Sequence, residues 1–228
     1  MYFVRTAEQY RAAALNAFDW IQHGFGTRFT PGSDALLPAV TLKQVHSDTV
    51  VRATAEQSGY IGQGDALITD RPGLRLVIRT ADCVPVLLAD THSRAVAAVH
   101  AGWRGTAASV VAKTVDRMRQ EFGSQPAKLI AAIGPSIGAC CYEVGPDVAG
   151  RFAAWLPELR DNNAVGRPVM VNLQEANRQQ LLACGLPASA IVTAGLCTFC
   201  ERTEFHSFRR DREASGRMES WIAIGMES

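Results

Sequence analysis

Two histidines and one cysteine lie in short, turn-like segments and offer the ligands of a catalytic metal ion. They are His46 after Gln44-Val45, Cys83 after Ala81-Asp82, and His100, which opens the segment His100-Ala101-Gly102-Trp103-Arg104-Gly105. Two imidazoles and a thiolate suit Zn²⁺, and three protein ligands leave the fourth position open, which distinguishes a catalytic zinc from a structural one. The spacing matches no zinc finger or ribbon, so separate elements must bring the ligands together. The alternative is that each residue is a buried cysteine or a hydrogen-bonded core histidine.

The composition is that of an ordinary globular protein, and we predict a single domain over residues 1–228. The net charge of +1 gives no broad attraction to nucleic acid or to a membrane surface. Neither a signal-peptide core nor an apolar run of membrane-spanning length is found, so we expect a cytoplasmic protein, either a monomer or a small homo-oligomer. Six cysteines in a chain of 228 residues do not form a disulfide framework, and we expect reduced thiols.

Alternating strand-like and helix-like segments predict an α+β fold built as a layered sandwich, because several strands follow one another directly. The helices are expected at Thr106–Phe122, Gly145–Trp155 and Asn172–Cys184, the last with Asn172 and Glu175 in capping-box spacing. Residues Pro157–Arg167 are expected to form a surface loop. The expected strands are Val40–Val45, Ala66–Thr69, Leu74–Arg79, Val86–Ala89, Ala95–Val99, Lys128–Ile133, Pro168–Leu173, Ile191–Gly195 and Ser220–Ile224.

Two further segments carry groups that could bind a ligand. The turn Gly102–Thr106 precedes a predicted helix and contains Arg104, and a helix N-terminus beside a guanidinium suits a phosphate-sized anion. The spacing of Cys197 and Cys200 fits a redox pair or half of a zinc site. Because no second C-x-x-C occurs, we predict that these two are reduced packing thiols. Cys140 and Cys141 are adjacent, and on an extended backbone only one of them could face the core.

Several segments together resemble one bacterial family, the YfiH-type proteins, which were long labelled laccase-domain or polyphenol oxidase proteins and are now described as purine nucleoside phosphorylases. The resemblance covers most of the chain. It rests on the segments Gln44–His46, Gly64–Ala66, Thr80–Val86, His100–Gly105, Gly134–Gly138, Tyr142–Val144 and Ser207–Asp211.

This resemblance implies an α/β/β/α sandwich with two mixed sheets in the centre and helices outside. It also implies zinc bound by His46, Cys83 and His100, phosphorolysis of adenosine, inosine, guanosine and methylthioadenosine, and deamination of adenosine. Purine nucleosides and phosphate are then the expected partners. Phe208 stands where family members often carry a tyrosine, which bears on substrate preference rather than on the metal ligands.

The remaining site predictions concern residues near the proposed ligands. We expect Gln44, Arg104 and Arg209 to contact substrate, and Asp82 to orient the site or transfer a proton.

Two other enzyme classes stay open at this point. Cys83 and His100 could be the nucleophile and base of a metal-independent cysteine hydrolase. A copper-dependent polyphenol oxidoreductase is the other, since copper could occupy the same ligands. The mononuclear and trinuclear centres of a multicopper oxidase need about ten histidines, however, and the chain has five. A non-catalytic metal-binding module is a third possibility.

Overall fold

The computed structural model describes residues 2–30, 38–54, 56–159 and 169–226, and most of its strands form two mixed sheets. The seven-stranded sheet has the order β1-β2-β3-β15-β8-β4-β6, and the six-stranded sheet has the order β14-β11-β9-β10-β7-β5. A short pair, β12-β13, stands apart. The strands are β1 Phe3–Arg5, β2 Gln9–Ala12, β3 Ile21–Gly26, β4 Ala39–Lys43, β5 Val50–Arg52, β6 Gly59–Gln63, β7 Ala66–Thr69, β8 Arg75–Thr80, β9 Val84–Asp90, β10 Val96–Ala101, β11 Leu129–Ile133, β12 Glu143–Val144, β13 Val169–Met170, β14 Ile191–Thr193 and β15 Met218–Ile224.

Alternation along the central strands divides the interior into two apolar layers. In β10, Val96 and Ala98 pack with residues of the seven-stranded sheet, whereas Ala97 and Val99 pack with the helices. Period-two alternation of buried residues on both faces is expected of a strand that is covered on both sides. The six-stranded sheet is therefore the middle layer of the molecule, and its strand β10 carries His100.

The helices are α1 Ala13–Asn16, α2 Trp103–Ala107, α3 Val110–Phe122, α4 Pro146–Ala149, α5 Leu173–Ala183 and α6 Phe208–Asp211. The longest of them, α3, buries Val111, Val115 and Met118 and ends at Gly123, whose φ of 68° is readily adopted only by glycine. At the start of α5 the side chain of Asn172 accepts a hydrogen bond from the amide of Glu175, as the capping-box spacing predicts. The predicted α+β class, a layered structure with two mixed sheets and helices, is confirmed.

Four predicted elements differ from the structure by more than two residues at an end. In the strand expected over Pro168–Leu173, only Val169 and Met170 of the described residues form a strand, because α5 begins at Leu173. The helix expected over Thr106–Phe122 is divided into α2 and α3, because Ser109 has a φ of 61° and interrupts the helical backbone. The helix expected over Gly145–Trp155 has only one turn, α4, followed by a 3₁₀ turn over Gly150–Phe152. In the loop expected over Pro157–Arg167, residues Pro157–Leu159 form a 3₁₀ turn, and residues 160–167 lie outside the described part.

The ends of three strands from both sheets meet at one side of the sandwich. Strand β4 ends just before His46, the β8–β9 connection contains Cys83, and β10 contains His100. In the described ranges, no helix has the length and apolar character needed to cross a membrane.

Candidate functional site

The three predicted metal ligands come together where the strands meet. One donor atom from each of His46, Cys83 and His100 lies within 4.8 Å of the other two. The distance from Cys83 Sγ to His46 Nε2 is 3.9 Å, and the two imidazole rings are 5.0 Å apart at their centroids, nearly perpendicular. The sequence prediction that these residues share one site therefore has the required geometry.

A fully buried carboxylate, Asp65, organises two of the three ligands. Its Oδ1 lies 2.7 Å from His100 Nδ1 and accepts a hydrogen bond from the amide of His46 at 3.0 Å. Its Oδ2 accepts from the amide and the hydroxyl of Ser47 at 2.6 and 2.7 Å. A carboxylate on one ring nitrogen of a ligating histidine fixes the tautomer and turns the other nitrogen toward the metal. Asp65 thus prepares Nε2 of His100 for ligation and shapes the turn that carries His46.

The backbone beside the ligands forms tight turns. His46 and Asp82 both have positive φ angles, 59° and 84°. Gly102 lies directly against the ligands, since a Cβ added there would be 2.8 Å from His46 Cδ2 and 3.0 Å from Cys83 Sγ. A glycine is needed at that position because any side chain would collide with the metal site.

The negative charges beside His100 suit a bound cation. Burial opposes ionisation of Cys83, but the neighbouring His100 and His46 lower the pKa of the thiol to about 6. Burial also opposes protonation of His100, but the Cys83 thiolate and the Asp65 carboxylate raise the pKa of the imidazole to about 9. Despite burial, hydrogen bonds from His100 and Ser47 lower the pKa of Asp65 to about 2. The Cys83 thiolate and the Asp65 carboxylate therefore place two negative charges beside His100. A divalent cation that displaced the proton of His100 would balance these charges.

The donor set fits zinc. Nitrogen and sulfur donors within 4.8 Å of one another match its preferred chemistry, and three protein ligands would leave one of its four positions for water or substrate. Two cavities of about 830 Å³ and about 390 Å³ meet beside these ligands, and His46, Cys83 and Phe208 line both.

The two cavities both combine aromatic rings with positive charge, but they differ in size. The larger is lined by the rings of Tyr60 and Phe208 and by three cationic side chains, those of Lys43, Arg79 and Arg217. The smaller is lined by three guanidinium groups, from Arg104, Arg209 and Arg212, beside the rings of Trp103 and Tyr142. Three guanidinium groups in the smaller volume suit a phosphate-sized anion, and the larger volume suits a bulkier ligand with a flat ring.

The structure places the four other predicted site residues at the edges of these cavities. Gln44 lines the larger one, but its side-chain amide exchanges two hydrogen bonds with the backbone of Arg79, at 2.7 and 2.8 Å. Arg104 lies over the ring of Trp103, 4.4 Å from its centroid. Substrate contact by Gln44, Arg104 and Arg209 stays a prediction.

Asp82 is held tightly by neighbouring groups. Its Oδ1 accepts from the hydroxyl of Thr198 at 2.7 Å, and its Oδ2 accepts from the amide of Arg209 at 2.6 Å. The Arg209 guanidinium donates to the carbonyl of Glu143 and lies over the Tyr142 ring. Asp82 therefore positions the segment that carries Arg209, and proton transfer by its carboxylate stays a prediction.

Sequence reasoning missed Asp65 and Arg212 as members of the site. Asp65 stands in the segment Gly64–Ala66, which was used only as a family motif, although an aspartate just before a buried strand was an available signal. Arg212 follows α6, and no local pattern distinguishes it from a solvated arginine.

Comparisons with known proteins identify the family of this chain. The family model described as multi-copper polyphenol oxidoreductase laccase matches residues 32–225. A protein of Bacteroides thetaiotaomicron named purine nucleoside phosphorylase is 42% identical over 181 residues, 78% of this chain and 67% of that protein. Adenosine deaminase RL5, from an unknown prokaryotic organism, is 40% identical over 166 residues, 71% of this chain and 63% of that protein.

A solved structure gives the same result for the fold. The crystal structure of YlmD from Geobacillus stearothermophilus superimposes with a TM-score of 0.87 at 28% identity, covering 98% of this chain and 99% of that one. The chain therefore belongs to the YfiH-type family, whose family model carries the multi-copper laccase description.

Proposed function

We propose that this protein is a zinc-dependent purine nucleoside phosphorylase that acts on adenosine, inosine, guanosine and methylthioadenosine and also deaminates adenosine. The observation that carries the proposal is the ligand set of His46, Cys83 and His100 beside two cavities that are lined by aromatic rings and cationic side chains. The names of the relatives, purine nucleoside phosphorylase and adenosine deaminase, support the same reactions.

The smaller cavity is suited to hold phosphate. Arg104, Arg209 and Arg212 bring three positive charges to a space beside the metal ligands. Guanidinium groups match phosphate oxygens in both charge and planar geometry. Phosphate bound there would lie next to His46 and Cys83, which line the same cavity.

The larger cavity is suited to hold the nucleoside. Phe208 and Tyr60 offer ring surfaces for a purine, and Arg79 donates to the Tyr60 hydroxyl at 3.1 Å, which orients that ring. In phosphorolysis, a phosphate oxygen bonds to the anomeric carbon while the glycosidic C–N bond breaks and its electron pair leaves with the purine. The chain must therefore hold the two substrates in line at the junction of the cavities.

Zinc at this site would supply a Lewis acid for polarising an oxygen or nitrogen of the substrates. The protein groups provide positioning. Asp65 orients His100 and the His46 turn, and Asp82 fixes the backbone of Arg209. Because these contacts are already made in the structure, little reorganisation is needed when substrates bind.

Adenosine distinguishes the two proposed reactions in one assay. With phosphate present, the zinc-loaded protein should release adenine and ribose 1-phosphate, and it should form inosine and ammonia with or without phosphate. His46→Ala should lose both reactions and the active-site zinc. The matched control is His92→Ala, whose histidine lies in the turn Thr91–Ser93 after β9, and it should keep both reactions and the zinc. Zinc-loaded protein that leaves adenosine unchanged would refute the proposal.

A cysteine hydrolase is the second candidate, because Asp65, His100 and Cys83 follow one another as orienting acid, base and nucleophile. Such a mechanism does not need His46, whose Nε2 lies 3.9 Å from Cys83 Sγ, and this second imidazole favours a metal site over a hydrolase. A hydrolase should keep its activity after chelation and lose it with iodoacetamide, whereas the phosphorylase should be inactive until zinc is restored.

The copper-dependent polyphenol oxidoreductase has less support. In the described residues the two groups that could hold a metal ion contain two histidines between them, and the whole chain has five. A trinuclear copper cluster requires more imidazoles than that. Copper bound by His46, Cys83 and His100 would be a single ion, and phenol oxidation by copper-loaded protein tests for it.

We also place the enzyme in the cytoplasm, as a monomer or small homo-oligomer, with no nucleic acid or membrane partner. Free cysteines, including the exposed Cys140 and Cys200, support a reducing compartment.

A further inference from the structure

Four cysteines outside the candidate active site form a second group of metal-ligand side chains, here called the cysteine cluster. The cluster consists of Cys140, Cys141, Cys197 and Cys200, and their sulfur atoms all lie within 4.8 Å of one another. Cys200 Sγ is 3.8 Å from Cys140 Sγ and 3.4 Å from Cys141 Sγ.

Four sulfurs at the corners of a tetrahedral zinc site, with Zn–S bonds of about 2.3 Å, are about 3.8 Å apart. A disulfide would need about 2.05 Å. The separations therefore match ligands of one cation.

A tight turn brings two adjacent cysteines to the same place. The amides of Cys141 and Tyr142 both donate to the carbonyl of Gly138, so the chain at Cys140 and Cys141 is coiled rather than extended. On the extended backbone assumed from the sequence, only one of the two side chains could face this way. The turn removes that restriction, and both sulfurs approach Cys200.

The loop of residues 196–200 contains the C-x-x-C pair, Cys197 and Cys200, and two contacts join it to the loop of residues 134–142. Ser136 and Cys197 form an isolated parallel bridge, and the amide of Gly138 donates to Cys197 Sγ at 3.2 Å. Such an amide donor stabilises a negatively charged sulfur. Gly138 also permits the close approach, because a Cβ there would lie 3.2 Å from both Cys140 Sγ and Cys197 Cβ.

We propose that the cysteine cluster binds a second zinc ion, structural rather than catalytic, which joins the loop of residues 134–142 to the loop of residues 196–200. Four protein ligands fill all four positions of a tetrahedral ion and leave none for substrate. Thiolates in this number select zinc over the hard cations. This site is independent of the proposed phosphorylase activity and adds a second metal ion per chain.

The second zinc would brace the active site through the residues between its ligands. Thr198, inside the C-x-x-C segment, donates to the Asp82 carboxylate, and the amide of Ile137 donates to the Asp82 carbonyl at 3.0 Å. Both loops therefore hold the residue that precedes Cys83. Loss of the ion should loosen this connection and lower the melting temperature, because binding energy at a structural zinc site is folding energy.

Elemental analysis of protein purified after expression with added zinc tests the proposal. Wild type should contain two zinc ions per chain, and Cys200→Ser should contain one. Cys184→Ser is the matched control, since Cys184 at the end of α5 is the one cysteine outside both groups, and it should retain two. Cys83→Ala should lose the active-site ion and keep the second, whose X-ray absorption spectrum should show only sulfur ligands at about 2.3 Å.

Several results would overturn the proposal. One is an equal zinc content in Cys200→Ser and wild type. Another is an intact mass that shows a disulfide in wild type purified without oxidant. If Cys200→Ser does not fold, the Cys83→Ala spectrum decides alone, and nitrogen ligands or absent zinc in that variant would contradict the tetrathiolate site. These readouts do not depend on nucleoside turnover, so failure of the proposed activity would leave them unaffected.

Discussion

Replacing Asp65 by asparagine should separate the role of its carboxylate from the role of its volume. The substitution keeps the shape of the side chain but exchanges one acceptor oxygen for an NH₂ donor. At the Oδ2 position that donor would face the amides of Val45 and Ser47, which now donate at 3.3 and 2.6 Å. Turned the other way, it would face the amide of His46 and Nδ1 of His100. Either orientation leaves two donors beside Asp65 without their present acceptor, and the backbone donors among them are part-buried.

The expected magnitude follows from these contacts. A buried donor without an acceptor costs about 1–3 kcal/mol, and part-buried amides lie at the low end of that range, so the free energy of unfolding should fall by about 2 kcal/mol. Loss of the carboxylate partner of a ligating histidine should lower zinc affinity about 10- to 100-fold. Denaturant unfolding measures the change in the free energy of unfolding. Zinc retention against a competing chelator measures the change in zinc affinity, and the active-site zinc is taken as the zinc that is lost in Cys83→Ala.

The control for Asp65→Asn is Asp70→Asn. Asp70 is partly exposed and pairs with Arg52 and Arg71 at the surface, where ion pairs contribute about 0–1 kcal/mol. Its replacement should leave zinc affinity unchanged. Asp65→Asn protein that retains zinc as tightly as wild type would refute the argument that this carboxylate prepares the metal site.

Three other changes give distinct expected results. Arg104→Ala should weaken phosphate use by inosine phosphorolysis about 10- to 100-fold, with zinc content unchanged and adenosine deamination less affected, and an equal loss of both activities would contradict a phosphate role. Gly102→Ala should lower zinc occupancy because its Cβ would press on His46 and Cys83, whereas Gly150→Ala, with open space around it, should not, as elemental analysis of both variants can show. Burial and the nearby Arg11 lower the pKa of His23 to about 4, so the unfolded chain takes up this proton first as the pH falls. Stability should therefore decline by about 3 kcal/mol between pH 6.5 and 4 in denaturant titrations, and His23→Gln should remove most of that decline.

The metal ligands could be found from the sequence because their residue types are rare and each stands beside a strand or turn signal. His46, Cys83 and His100 occur in segments punctuated by Gly or Asp, and two of them adjoin strong β-patterns. Strand β7 was predicted with its observed bounds, since its residues are apolar and followed by a turn. Local pattern and local structure agree in these places.

Prediction from the sequence is weaker where local structure depends on distant contacts. Short strands such as β1 and β6 are paired at the sheet edge and have mostly exposed side chains, so they lack the apolar alternation that marks a strand. The break at Ser109 comes from one positive φ angle that no helix-propensity pattern encodes. The cysteine cluster combines a C-x-x-C pair with two adjacent cysteines about 60 residues earlier, and only the folded loops show that these are neighbours.

Phosphate dependence of inosine cleavage tests the central claim most directly. Zinc-loaded wild type should release hypoxanthine and ribose 1-phosphate in equal amounts, at a rate that rises with phosphate concentration and falls to background without it. Cys83→Ala, which lacks the active-site ligand, should show only background release at every phosphate concentration. Hypoxanthine release that is independent of phosphate, or undiminished in Cys83→Ala, would contradict phosphorolysis at the His46, Cys83 and His100 site.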